Sequence, residues 1–514
     1  MPHITRLPDE ILSSIAHYLH RREIAAATQT CRQLQQAFTS QLWNTFSLNT
    51  SFSPQGKDKN NLSIGTITSH AHCVRNLEYM GALPSEYYQI TFPSLVGLRV
   101  NFRSSAAEAA HEYNGNKPVP AQQDRDCITL IRLNPTTRDL HVDSGNLETS
   151  RTFWETVFLT LKNPRRLVFD RFEVFRGEAL DAFWRAATRF EELSCSGHGM
   201  GESAVLTTLS FSRLERLALE MRAHISKMSS SEGNLEWFSK CPNLTRLHWH
   251  SLHSEFPTRA FAEHLEQQTW PRLTDLAMTG YIGSDALLSS VIRQLPPLEY
   301  FRLESAQFGP HGFPFLRERL FDTIRTLDLE RSYGLASRMV LEILTGFRHL
   351  EVFKAFFISV SDLRANPETW VCSGLKLLEV FFAVDPTKPS DGELVFQQLS
   401  RLTRLEHLDL NARHSWTLSW ENFSHLKGQG SLQWRVDSGL QYLSTLRRLR
   451  MLVIDNSFHD ARMEDVRWML AHWPVLQTLT CSLSQDPVTR KQFVELFQQH
   501  RVSLKLEDGW RSRL

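Results

Sequence analysis

A short apolar motif, L-x-x-L-x-L, returns from one end of the chain to the other. It reads SLVGLRV up to Val100, RLERLAL up to Leu219, NLTRLHW up to Trp249, TIRTLDL up to Leu329, GLKLLEV up to Val380, RLEHLDL up to Leu410 and VLQTLTC up to Cys481. The middle apolar residue serves as a marker. Markers fall at Leu77, Leu98, Leu140, Leu167, Leu193, Leu217, Leu247, Leu276, Phe301, Leu327, Phe353, Leu378, Leu408, Leu452 and Leu479, with Leu504 as a terminal copy. Most steps between them are 21 to 30 residues. Around each marker apolar and polar positions alternate, the period of a strand with one buried face. Between markers the period changes. DALLSSVIRQL (285–295), SRMVLEILTGF (337–347) and EDVRWMLAHW (464–473) carry apolar residues at i, i+3 and i+4, which predicts helices. Each unit is thus one strand and one helix. Alone it cannot bury its apolar face; stacked, the units share a continuous core. A strand–helix–strand link favours parallel pairing. The expectation is an α/β solenoid, an open horseshoe with parallel strands on the concave side and helices on the convex side.

The spacing resembles leucine-rich repeats, whose period of 20–29 residues brackets the typical step here of about 26. The array is expected over 70–514. Two stretches break its rhythm. Residues 101–126 are polar and rich in turn formers, and read as an insertion. Residues 411–435 carry Trp416, Trp420 and Trp434. They read either as a hairpin packed on the solenoid or as a loop that binds a partner, since exposed Trp is a common interface anchor.

With the marker leucines in the core, the residues beside them line the opposite face of the strands. About fifteen strands at about 4.8 Å spacing give an arc of about 70 Å, which suits a protein or peptide better than a small molecule. Three zones stand out on this face: a basic one at Arg216, Arg246, His248 and His250, an acidic one at Glu304, Asp328 and Glu330, and an apolar one at Val352, Phe356, Leu377 and Phe381. The candidate target contacts are Val352, Phe356, Leu377, Phe381, Arg246 and His248. The Phe-Phe pairs at 356–357 and 381–382 leave a second register open, in which the apolar four are core.

Residues 5–46 do not follow the repeat. Pro8 suits a helix start, and Ile11, Leu12, Ile15 and Leu19 form a helical stripe. A second short helix is expected near Arg22–Gln29. Thr30 is placed to cap a third, with Leu34, Ala37 and Phe38 on one face and Leu42, Trp43 and Phe46 as an apolar tail. Three helices this small bury little surface alone. The polar stretch 47–69 reads as a linker to the array.

Leu7-Pro8, Glu10-Ile11-Leu12, Leu19, Cys31-Arg32 and Leu42-Trp43 together resemble the F-box, by which substrate receptors dock on the Skp-family adaptor of cullin–RING ubiquitin ligases. Leu34 stands where many members have Trp, and Glu23-Ile24 where Asp-Leu is common. The order of the two parts is similar to that of fungal-type F-box/leucine-rich-repeat receptors of the SCF class. The resemblance implies that Leu7, Pro8, Ile11, Leu12 and Leu19 carry adaptor contact.

Composition narrows the alternatives. Lys+Arg is 57 and Asp+Glu is 56, a net charge of +1, so the chain lacks the basic excess of a general nucleic-acid binder. The seven cysteines are scattered without a C-x-x-C, which disfavours a disulfide framework or zinc knuckle and points to cytoplasm or nucleus. No signal peptide and no apolar run of transmembrane length is read, so no membrane partner is expected. His248, His250 and His253 lack a further ligand at metal spacing, Cys31 reads as packing, and no P-loop, H-E-x-x-H or G-x-S-x-G is present. No metal, cofactor or catalytic residue is implied. The expected function is a non-catalytic receptor: the F-box holds the adaptor and the repeats hold an unidentified target protein. The rivals are a non-degradative scaffold and an enzyme regulator.

Overall fold

The computed structural model describes residues 7–49, 63–80, 83–102, 117–118, 121–143, 147–172, 177–197, 203, 205–206, 208–221, 237–281, 283–385, 387–388, 390–410, 432–454, 461–482 and 486–506. The chain forms two compact units, residues 1–254 with 270–272 and residues 255–269 with 273–514.

The first unit opens with three helices, α1 (Asp9–Ala16), α2 (Arg21–Thr28) and α3 (Arg32–Asn44). The Pro8 carbonyl accepts the N–H groups of Ile11 and Leu12 at 3.0 Å, so the proline seats the first turn of α1. At the start of α2 the Glu23 carboxylate accepts the His20 N–H at 2.7 Å, a favourable place for negative charge. Leu12, Ala16, Ile24, Leu34, Ala37 and Phe38 form the module's core, with Leu19, Ala27, Cys31 and Leu42 packed against it. Thr30 does not cap α3. Its hydroxyl donates back to the Ala27 carbonyl at 2.8 Å, and Cys31 stands at the N-cap.

α3 runs directly into β1 (Thr45–Asn49), which pairs in parallel with β2 (Asn76–Met80), Phe46 opposite Leu77. This corrects the expected linker. Of residues 47–69, Ser47–Asn49 are strand and Ile64–His70 begins a helix, while 50–62 lie outside the described residues. The physical reason is burial. Phe46 is buried on the same face as the marker leucines, so the repeat begins one strand earlier than its motif. The Trp43 ring stacks on His70 at 4.4 Å and lies 5.2 Å from Phe46, closing the junction.

The strands β3 (Gly97–Asn101), β5 (Asp139–Asp143), β7 (Arg166–Phe172), β8 (Glu192–Gly197), β9 (Arg216–Met221) and β10 (Arg246–Glu255) follow, each parallel to the one before. Leu77, Leu98, Leu140, Leu167, Leu193, Leu217 and Leu247 lie in line across them, as their spacing predicts. Two short strands, β4 (Lys117–Pro118) and β6 (Leu147–Glu148), pair with each other. The expected insertion 101–126 is therefore shorter than its composition suggests: Ala121–Leu133 is a helix, and 103–116 and 119–120 lie outside the described residues. Behind the sheet an aromatic chain runs through Trp154 and Phe183 (4.9 Å) to Trp184 and Trp237 (5.1 Å). Asn134 is buried but satisfied. Its amide donates to the Leu130 carbonyl at 2.8 Å and the Ile90 carbonyl at 3.3 Å, and its oxygen accepts the Phe92 N–H at 2.7 Å.

The second unit repeats the plan with β11 (Asp275–Tyr281), β12 (Tyr300–Glu304), β13 (Thr326–Asp328), β14 (Val352–Ser359), β15 (Leu377–Ala383), β16 (His407–Asp409), β17 (Met451–Ile454), β18 (Thr478–Cys481) and β19 (Ser503–Leu506). Leu276, Phe301, Leu327, Phe353, Leu378, Leu408, Leu452, Leu479 and Leu504 are in line, all parallel. The helices expected between them are present at Asp285–Gln294, Ser337–Gly346 and Met463–His472. Trp434 is buried with its ring edge-on to Phe396 at 5.4 Å, so it is core and no anchor for a partner. Trp416 and Trp420 lie outside the described residues. Each unit is thus an α/β stack of leucine-marked repeats. Among the described residues no helix is long and apolar enough to cross a membrane.

Candidate functional site

Successive residues on a helix turn by about 100°, so α1 cannot bury Ile11 and Leu12 together. Leu12 and Ala16, one turn apart, face the module's core, and Leu19 packs half-buried beside them. Ile11 faces out, 48% exposed, beside Leu7 at 36% and an exposed Pro8. The five residues implied in adaptor contact therefore divide: Leu7, Pro8 and Ile11 present an apolar surface, while Leu12 and Leu19 hold the helix that carries it. Tyr18, just past α1, is 90% exposed and was not singled out by the sequence pattern. The aromatic amid polar neighbours in A-H-Y-L-H is the signal that marks it.

On the strand face of the first unit, Arg246 is exposed at the start of β10 and stands beside Arg216. Arg216 is paired with Glu192 at 2.6 Å. His248 is half-buried next to Ala218, and His250 lies opposite Glu220. The basic zone thus sits among carboxylates. The His253 side chain lies outside the described residues. Nearby, His141 Nε2 lies 2.6 Å from Asp170, whose other oxygen accepts the Ser196 hydroxyl at 3.3 Å. The His141 hydrogen bond outweighs burial and holds the Asp170 carboxyl below its usual range.

In the second unit Val352, Phe356, Leu377 and Phe381 are half-buried, and their neighbours Phe353, Ala355, Leu378 and Val380 fill the core. The structure thus places the four candidates on the face away from the core. Val352 stands opposite Leu377 and Lys354 opposite Glu379. A shift of register after Lys354 then sets Phe357, rather than Phe356, opposite Phe381.

The acidic zone adjoins this patch. Glu304 is nearly buried and held by Arg302 at 2.6 Å and by Arg331 at 2.5 Å. Arg302 also reaches Asp328 at 3.5 Å. Lys354 Nζ lies 2.7 Å from Glu379. Burial, then the charges of Glu379 and Asp328, push the Glu330 carboxyl up to about 8. Burial also raises Asp328 and lowers His407. The raised Glu330 carboxyl thus feels Glu379 and Lys354, the charged neighbours of the apolar patch.

The family model described as F-box-like matches residues 4–49, the three-helix module with β1. No curated protein matches the chain. Among solved structures, a chain from the crystal structure of the Rad7 and Elc1 complex in yeast is similar, with 10% identity and a TM-score of 0.41, over 98% of this chain and 94% of that one. The chain thus carries an F-box-like domain that runs directly into leucine-marked strand–helix repeats.

Proposed function

We propose that the chain is the substrate-recognition subunit of an SCF-type ubiquitin ligase. In this reading the F-box-like domain docks on a Skp-family adaptor, and through it on a cullin–RING ligase, by Leu7, Pro8 and Ile11. The strand faces of the repeats hold a target protein. The chain itself contributes no catalytic group. Transfer follows from proximity, because a tethered target sees a high effective concentration of the charged conjugating enzyme. The observation that carries the reading is the F-box-like module of residues 4–49, with three apolar side chains turned outward from a core already filled by six others. Burying a side chain of this size is worth about 1.5–3 kcal/mol, so three anchors suffice for a specific interface.

The test is capture of a purified Skp-type adaptor by the full chain, beside a Leu7→Ala/Ile11→Ala variant. The expected result is capture by the wild type and its loss in a variant that melts normally. No capture by the wild type overturns the reading.

A further inference from the structure

We propose that the strand face around Lys354 and Phe381 holds an extended segment of the target protein in which a lysine or arginine is followed two residues later by a large apolar side chain. This rests on the receptor reading and names the chemistry of its target. The first observation is the apolar patch itself. Val352, Phe356, Leu377 and Phe381 occupy the face of β14 and β15 away from the core, although that face is polar in the flanking strands, with Asp328 on β13 and Asp409 on β16.

The second observation is the sign of its surroundings. Asp328, Glu330 and Glu379 gather about one ammonium, Lys354, which lies 2.7 Å from Glu379. The Arg302 guanidinium near Asp328 is shared with Glu304. Arg331, beside Glu330, is held by Glu304 as well. Even with Glu330 protonated, Glu304, Asp328, Glu379 and Asp409 stand against Arg302, Arg331 and Lys354, so an incoming cation is attracted and an incoming anion repelled. The Glu330 carboxyl, pushed up to about 8 by burial and the same crowding, adds its own charge only in mild alkali.

For a segment running parallel to β15, the spacing sets the order of its side chains. Glu379 and Phe381 are two residues apart on one strand, about 6.7 Å, the distance between alternate side chains of an extended peptide. β14 and β15 already pair on both edges, so the segment meets the sheet through side chains and not as an added strand.

The experiment titrates, at about pH 9, where Glu330 is ionised and lysine is still charged, fluorescent nonapeptides with a central Lys-Gly-Leu onto the full chain, with Glu-Gly-Leu and Lys-Gly-Ser as controls. Lys-Gly-Leu should bind tightest, and Glu330→Gln or Phe381→Ser should each weaken it about tenfold, or about 1.4 kcal/mol. Glu330→Lys should turn the preference toward Glu-Gly-Leu, a gain that misfolding cannot produce. Equal affinity for the lysine and glutamate peptides, no binding by any peptide at about 1 mM, or a lysine preference that survives Glu330→Lys overturns the inference. Adaptor capture is measured on the same preparations. Normal capture without peptide preference sinks this inference alone, and peptide preference without capture sinks the receptor reading.

Discussion

Phe46 stands opposite Leu77 in a parallel strand pair, and this one pairing joins the F-box-like module to the repeats without a hinge. The helix that ends the module and the strand that begins the array are consecutive residues. The outward-facing Leu7, Pro8 and Ile11 are therefore carried on a module whose last helix runs straight into the first strand of the stack.

Phe46→Ala should cost about 3–5 kcal/mol, because it empties a buried site at the start of the stack. Calorimetric melting of the full chain reads this directly. A loss below about 1 kcal/mol would show that the junction is loose and that β1 contributes little.

Neighbouring residues of α1 should respond oppositely. Leu12→Ala lowers the melting temperature, by about 2–5 kcal/mol of local stability, since Leu12 is wholly buried. Ile11→Ala leaves melting nearly unchanged and lowers adaptor capture. Melting curves and capture assays on both variants, run together, separate a folding residue from a contact residue.

Asn134 joins the loop at Ile90 and Phe92 to its own helix through three buried hydrogen bonds. Asn134→Ala should destabilise the unit by about 1–3 kcal/mol or more, because it strands the Phe92 N–H in the interior. Hydrogen exchange at Phe92 should rise more than exchange at β9.

Glu330 predicts a pH effect with a definite sign. Its folded value of about 8 lies above its ordinary 4.5, so between these values the folded chain binds more protons than the unfolded one. Its contribution to stability is present at pH below 4.5 and lost as pH rises toward 8. Asp328, Glu379, Lys354 and Arg331 face it and are shared by wild type and variant, so the difference between the two reads Glu330. Glu330→Gln should therefore melt higher than wild type at pH 8 and lose that advantage near pH 5. Parallel melting curves at both values would sink the assignment.

Asp285 predicts the reverse. Burial tends to raise its carboxyl, but the N–H groups of His311, Gly309 and Gly312 at 2.7–3.1 Å bring it below its ordinary 3.8. Its contribution is present above that value and lost as pH falls through the folded one. Asp285→Asn should lower stability by about 1–3 kcal/mol at pH 7. The gap to wild type should narrow in acid, read by denaturant titration at several pH values.

Much of this was legible along the chain. The line from Leu77 to Leu247 and the line from Leu276 to Leu504 follow from a period of two at each strand and a period of 3.6 between strands, because a parallel strand–helix unit repeats its register at every turn of the stack. The resemblance of residues 7–43 to an F-box was likewise carried by local order. What local order could not settle was inside from outside. Ile11 and Leu12 are equally apolar, and only the packing of α1 on α3 turns one to solvent and the other to Phe38. Thr45–Asn49 lacks the full six-residue motif, and only pairing with Asn76–Met80 makes it a strand. Trp434 reads equally as packing or as an anchor until Phe396, far off in sequence, covers it. The carboxyl of Glu330 is ordinary in sequence and becomes unusual when neighbouring strands bring Glu379 and Asp328 beside it. Periodicity is a property of bonded neighbours, whereas burial and charge environment belong to contacts between residues tens of positions apart, and only the folded chain brings those together.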